Sequence, residues 1–266
     1  MSIVTISRGT YTKGREIAEK VARNMDYELV SREILIEASE QFNIPEIKLE
    51  RALHDAPSVL DRFTYGKDRY LAYIRAAILQ HMIKDNVVYH GLAGHAFMSG
   101  VGHLLRVRIR ADIEDRIQEE MRRENIPEEE ARYVLSKDDE ERRRWSIFVT
   151  GHDPCDPVSY DLILNASCIH VDDIVDIICQ MLRKDYLQRT EKSQKRLQEL
   201  ALAARIKVHL CMDYPSAEVT VRDGTAYVNV QSTLLGEDRL IGEVKEQIPS
   251  LEGIRDVVVH VVPSYF

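Results

Sequence analysis

Short apolar runs alternate, along the first two thirds of the chain, with longer stretches in which apolar residues recur every three to four positions. Residues 2–7 (SIVTIS) form the first β-rich run, and Ile17, Ala18, Val21, Ala22 and Met25 follow at helical spacing. Residues 32–42 and 47–53 are amphipathic, punctuated by Pro45, and 57–65 read as a loop or a broken helix. A strong helix is expected over 69–84, with Leu71, Ile74, Ile78, Leu79 and Met82 on one side, then a buried strand over 86–90 that ends at Gly91. Residues 104–111 (LLRVRIRA) alternate: Leu105, Val107 and Ile109 face one way, Arg106, Arg108 and Arg110 the other, which predicts a strand. Three arginines on one strand face need partners: either they pair with carboxylates, the expected outcome, or one of them reaches the active cleft. Asp112 is placed to cap the next helix, to about Asn125, and Pro127 restarts a helix opening on Glu128, Glu129 and Glu130. A charge run over 137–145, a proline-containing turn over 151–157, a strand over 161–165 and an amphipathic helix over 171–187 complete this part.

The texture changes after the polar stretch 189–198. Residues 200–212 are helical, and the alternating runs 217–222 and 225–231 flank Asp223-Gly224, a strong hairpin signal. A helix over 236–248 and a strand over 254–262 follow. The reading is therefore α/β: a mostly parallel sheet flanked by helices in residues 1–188, a polar helical linker at 189–199, and a small αββαβ domain at 200–266. Ligands of such sheets sit at the carboxyl ends of the strands, where the loops after Ser7 and His90 lie.

Composition narrows the function classes. A net charge of −8 argues against a general nucleic-acid binder, although a local arginine cluster can still hold a small phosphate ligand. With 44% hydrophobic and 30% charged residues, the 266-residue chain can build a core beneath a well-solvated surface. No run is long enough for a membrane span and the first residues do not resemble a signal peptide, so a cytoplasmic location is expected. The four cysteines form no CxxC pair and read as free thiols, and His81, His90, His95 and His103 fit no zinc spacing, so no metal site is expected from them.

Several stretches together resemble the cytidylate kinase-like family: Ile3-Val4-Thr5-Ile6-Ser7-Arg8, Gly14-Arg15-Glu16-Ile17-Ala18, Ser31-Arg32-Glu33-Ile34, and Val87-Val88-Tyr89-His90-Gly91. Residues 105–111 followed by Arg116, then Asp139-Glu140-Glu141-Arg142, and finally the run from Tyr160 to Asn165, continue the match over roughly residues 1–185. The resemblance implies a P-loop kinase fold with a lid, and transfer of a phosphoryl group from ATP, with Mg²⁺, to CMP or a related monophosphate. The tail resembles a BON domain through Gly224, Gly253, Ile254 and Val257, which implies a further ligand or partner. An exposed apolar edge on 225–231 or 254–262 would add self-association.

The candidate phosphate loop is Gly9, Thr10, Tyr11, Thr12, Lys13, Gly14, Arg15 and Glu16. A working loop is GxxxxGK[ST]. In one register Arg15 replaces the lysine and Glu16 the metal-binding hydroxyl residue. In a second, aligned on the family, Gly14 takes the lysine position and Arg15 the hydroxyl position. Either way non-glycine residues stiffen the cradle. Arg15 and Arg142 are the candidate catalytic cations: Arg15 at the donor phosphates, Arg142 closing from the lid beside Arg143 and Arg144. Arg32 and Gly91 are the acceptor candidates, although Leu92 stands where the family often has arginine. Three readings compete: a CMP/dCMP-like kinase, a degenerate kinase fold that senses a nucleotide and signals through its tail, or a structural assembly partner with no nucleotide affinity.

Overall fold

The computed structural model describes residues 1–9, 13–31, 66–91, 94–232 and 237–263. The expected helices at 32–42 and 47–53, Thr10, Tyr11, Thr12 and Arg32 lie outside the described residues. The apolar runs become strands β1 (Ile3–Arg8), β3 (Val87–His90), β4 (Leu104–Arg110) and β5 (Leu162–Asn165), and a short strand that the apolar pattern did not predict, β2 (Glu28–Val30), joins them. In the tail they become β6 (Glu218–Arg222), β7 (Thr225–Ser232) and β8 (Asp256–Pro263). The helices are α1 (Gly14–Met25), α2 (Gly66–Met82), α3 (Ile113–Glu124), α4 (Glu128–Thr150), α5 (Val171–Leu182), α6 (Glu191–Leu210) and α7 (Glu237–Gln247).

β1 to β5 form a five-stranded sheet in the order β2-β3-β1-β4-β5, each neighbouring pair parallel. β1 is central, and Ile3 lies beside Val87 on one side and Leu104 on the other. A parallel strand covered on both faces has no solvent side, which is why Ile3, Val4 and Ile6 are all fully buried. α1 and α5 close one face over Val4, Ile6, Val88, Leu105, Val107 and Ile109. α2 and α6 close the other over Ile3, Val87, Tyr89 and Leu104. The polar stretch after residue 189 enters α6, where Leu197, Leu200, Ala201 and Ala204 recur at helical spacing and pack on α2's side of the sheet. Further along, Ala203, Ile206 and Leu210 join the core of the second sheet, so one helix serves both cores.

That second sheet has the order β6-β7-β8, with β6–β7 antiparallel and β7–β8 parallel. Asp223 and Gly224 take φ of 49° and 79°, the left-handed pair that a two-residue hairpin loop requires.

α3 and α4 make a helical hairpin beyond the carboxyl end of β4, with Ile117, Ala131 and Leu135 as its own small core. Asp112 occupies the N-cap position of α3, but its carboxylate makes no capping bond. It accepts Asn165 Nδ2 at 3.1 Å and lies 3.6 Å from Arg110 Nη2, and these donors take the place of the helix N–H.

The amino ends of the strands are tied together by one buried carboxylate. Asp85, with no exposed side chain, accepts His103 Nε2 at 2.9 Å and Arg189 Nη1 at 3.0 Å. Backbone bonds run alongside, from Ile3 N to the His103 carbonyl, Asn86 N to the Ser2 carbonyl and Arg189 N to the Met1 carbonyl. Among the described residues no helix is long and apolar enough to cross a membrane.

Candidate phosphate-binding cleft

The loop leaving β1 at Gly9 returns at Lys13, whose backbone is left-handed (φ 58°, ψ 13°), and α1 starts at the buried Gly14. The first intrahelical bond runs from Ile17 N to the Lys13 carbonyl at 3.1 Å. The N–H groups of residues 14–16 precede it, so by helix geometry they are donors for an anion. Lys13 holds a conformation that costs a non-glycine residue about 1 kcal/mol or more. Lys13→Gly is therefore expected to raise stability by about 0.5–1 kcal/mol, part of the relief being offset by the freer unfolded chain, as read from the urea midpoint. A loss of ATP affinity in the same variant would show that the ammonium contacts phosphate.

The side chains at the start of α1 turn along the helix surface. Arg15 Nε donates to Glu19 Oε1 at 2.8 Å and its side chain is 81% exposed. Glu16 accepts Lys20 at 3.1 Å, and Lys20 also reaches Asp172 of α5 at 2.8 Å. Gly91 stands at the carboxyl end of β3, where a Cβ would come within 2.6 Å of Tyr89 Oη, so the buried ring uses the space that glycine leaves.

Across β1 from β3, a cavity of about 680 Å³ opens between the carboxyl ends of β1 and β4, the α3–α4 hairpin and the 154–160 segment. Ser7 and Gly9 form part of its floor, Trp145 part of its wall, and Arg108, Arg110, Arg116, Arg132, Arg142 and Arg143 surround it. Most of these cations are engaged. Arg116 is buried and grips Asp139 with two bonds of 2.8 Å, bracing α3 against α4. Arg143 Nε holds Asp153 at 2.7 Å, which folds the 151–157 turn back onto α4. Arg132 pairs with Glu128 at 3.0 Å.

Two arginines differ. Arg142 is half-buried and, among the described residues, makes no hydrogen bond or ion pair; burial pulls its pKa down, with Asp138 and Asp139 opposing and Arg116 adding. The carboxylate of Asp139, three residues earlier on the same helix, is committed to Arg116. Arg108 has only neutral partners, Tyr160 Oη at 3.3 Å and Cys155 Sγ at 3.6 Å, and its guanidinium lies 5.6 Å from the Tyr160 ring centroid. Tyr160 donates to the Pro154 carbonyl at 3.0 Å and sits 3.4 Å from Ser7 Oγ. His95 packs on Tyr160 with ring centroids 5.0 Å apart. Burial holds its imidazole down at about 4, with Arg106 and Arg108 pressing the same way, so the ring is neutral near pH 7. Arg106 alone of the β4 arginines is fully paired, donating to both Asp161 oxygens at 3.1 and 2.6 Å.

The candidates thus separate. Gly9 and Arg142 share the cavity, Lys13, Gly14, Arg15 and Glu16 stand at the head of α1, and Gly91 closes the neighbouring strand. Arg108, Arg132, Tyr160 and Trp145 line the same space without having been singled out from the sequence. The alternation of 104–111 did place Arg108 off the apolar face, but not which of three arginines would reach the cleft.

The parallel sheet flanked by helices, with a Gly-containing loop between β1 and α1 and an arginine-rich helical hairpin over it, is the architecture of a P-loop kinase. The chain belongs to the cytidylate kinase-like family, whose model matches residues 3–168. A crystal structure of an uncharacterized protein from Eubacterium ventriosum is similar in fold, with 19% identity over 68% of this chain and 98% of that one and a TM-score of 0.53. Shikimate kinase from Bacteroides thetaiotaomicron matches at 12% identity, 69% and 99% coverage and TM-score 0.43. Dephospho-CoA kinase from Campylobacter jejuni matches at 15%, 68% and 97%, and 0.36. No curated protein matches the chain.

Proposed function

We propose that the protein is an ATP-dependent nucleoside monophosphate kinase acting on CMP or a similar monophosphate in the cytoplasm. The observation that carries this reading is Arg142: a half-buried cation without an ion-pair partner among the described residues, facing a cavity of about 680 Å³ at the end of β1. Burying a cation unpaired is costly, and an anionic ligand is the partner that would offset it.

In this reading the N–H groups of residues 14–16 and Lys13 hold the donor phosphates, and Arg142 and Arg108 approach from the opposite wall. ATP with Mg²⁺ would supply the phosphoryl group when bound. An ion of this kind takes most of its ligands from phosphate and water, so one or two carboxylates suffice; in the register that sets Glu16 at the metal-binding position, that carboxylate would serve the ion through water once released from Lys20. The α3–α4 hairpin excludes water and brings Arg142 to the developing charge. Arg32 and Gly91 remain the proposed acceptor contacts.

The second reading, a nucleotide sensor without turnover, is favoured by the head of α1. Arg15 is turned to Glu19 and Glu16 to Lys20, where a working loop has a lysine and a hydroxyl aimed at phosphate. The tail, BON-like by sequence, would then be the output. If Arg15 swings onto phosphate, Arg15→Ala costs about 1.5–3 kcal/mol of nucleotide affinity. An unchanged dissociation constant removes it from the site.

Titration with ATP·Mg and with CMP tests both readings, followed by calorimetry and by the fluorescence of Trp145, the single tryptophan, which lines the cavity. Binding of both with phosphotransfer in a coupled assay supports the kinase. Binding without transfer supports the sensor, and binding of neither overturns both.

A further inference from the structure

A second cavity, of about 670 Å³, lies beside the phosphate cleft over the first half of β4. On this face the core beneath α2 and α6 reaches Leu104 but no residue of β5, and Ile163, the register partner of Arg108, is 41% exposed. Parts of the segments 95–102, 152–161 and 181–187 wall the space instead. The lining is unlike that of the cleft. Arginines surround the cleft, whereas here the one guanidinium and the one carboxylate, Arg106 and Asp161, hold each other. Met98, Val101, Leu104 and Leu187 give a buried apolar wall, and Tyr186, 68% exposed, stands at the mouth. The fork to Asp161 uses two of the five N–H donors of the Arg106 guanidinium, and the others have no partner among the described residues. His95 presents one donor and one acceptor as a neutral ring, and neither nitrogen is hydrogen-bonded among the described residues.

We propose that this cavity is a second ligand site, separate from the phosphate cleft, which takes an uncharged heteroaromatic ring with donors and acceptors on its edge: a nucleobase or an unphosphorylated nucleoside. Its size and its mostly apolar lining with a few convergent polar groups are those of a small-molecule site. The edge of such a ring meets His95 and the spare donors of Arg106, and its faces lie on the apolar wall and on Tyr186. A phosphate finds no uncompensated cation here, because Arg106 is neutralised by Asp161. An aliphatic ligand would cover the N–H groups of Arg106 and the nitrogens of His95 without pairing them, which costs free energy. The site does not depend on phosphoryl transfer, but it shares a wall with the cleft: His95 lines both, and so does the 152–161 segment, with Ser159 and Asp161 on this side and Pro154 and Tyr160 on the other.

Calorimetric titration of the full chain with cytidine and with adenosine should show at least one of them binding, with a dissociation constant on the order of 0.1 mM for a ligand of this size. Inorganic pyrophosphate, which suits the arginines of the cleft, should not displace it. Tyr186→Ala removes an exposed ring, so the fold should be unaffected while nucleoside affinity falls about tenfold. Ser159→Trp places an indole in the cavity from its wall and should abolish nucleoside binding. The melting temperature of each variant, unchanged within a few degrees, shows that the loss is local. No binding of either nucleoside up to about 10 mM would overturn the proposal. So would wild-type affinity in Tyr186→Ala and Ser159→Trp, or displacement by pyrophosphate, which would put the nucleoside in the phosphate cleft.

Discussion

Arg142→Ala is expected to lower phosphoryl transfer by about 10²–10³-fold, the usual consequence of removing one cation aimed at transition-state charge. Stability of the unliganded protein should hold level or rise slightly, because the side chain makes no hydrogen bond or ion pair among the described residues and its removal relieves the desolvation of a half-buried cation. Its neighbours supply the contrast. Arg144 pairs with Glu140 at 2.8 Å on the exposed side of α4, and Arg144→Ala should leave both quantities unchanged. Arg116 is the brace between α3 and α4, so Arg116→Ala should act through stability and lid position. If the protein is a sensor, Arg142→Ala has no turnover to lose and appears instead as weakened ATP binding. A variant with wild-type binding and wild-type transfer would take Arg142 out of the site and leave the cavity without its main functional argument. Urea unfolding followed by Trp145 emission checks that the fold is intact in the same sample used for the coupled assay.

Four strands of the large sheet were legible because a buried parallel strand is a short continuous apolar run, and Val87 to Tyr89 or Ile3 to Ile6 can be little else; β2 was not, because Glu28–Val30 is a three-residue edge with one exposed, one half-buried and one buried residue, too short to show a pattern. The hairpin at Asp223-Gly224 was legible because only a few residue pairs tolerate two positive φ values. The start of α6 was harder. Its outer face is so rich in charge that the spacing of Leu197, Leu200, Ala201 and Ala204 is diluted, and what they pack on is α2, more than a hundred residues earlier in the chain. Asp112 shows the same limit locally: residue type and position say cap, but Asn165, which arrives through sheet pairing, takes the carboxylate.

The cleft divides along the same line. Arg142 stood out through the spacing Asp139-x-x-Arg142, which sits on one helix and so survives in the sequence. Arg108 meets Tyr160 across a separation of 52 residues, brought together only because β4 and β5 are adjacent. Nor could spacing tell that Arg106 would be consumed by Asp161 while Arg108, two residues on, would face neutral groups. Alternation gives the face of a strand, and the neighbouring strand decides what each side chain on that face finds.

Asp85→Ala is expected to destabilise the fold by about 3 kcal/mol or more, because removing one member of a buried ionic cluster leaves the others without a partner. His103 is fully buried, and its Nδ1 has no hydrogen-bond partner, so the bond from Nε2 to Asp85 is what holds the ring. Arg189 is partly exposed and can recover some solvation, which keeps the estimate at the lower end for such a cluster. The backbone adds a second component: Asp85 has φ 59°, and alanine there is strained where aspartate and asparagine are tolerated. Asp85→Asn separates the two, since it keeps the conformation and one acceptor oxygen while removing the charge; a loss of about 1–2 kcal/mol is expected. These losses should be read as a lower urea midpoint with nucleotide affinity unchanged at temperatures where the variant is folded. Asp85 ties the amino ends of β1, β3 and β4 to the start of α6, while the cleft is at their carboxyl ends, so the same sheet separates the stability site from the ligand site. A variant that lost ATP binding while its midpoint stayed put would show that the two ends are coupled through β1, and the assignment of Asp85 to stability alone would fall.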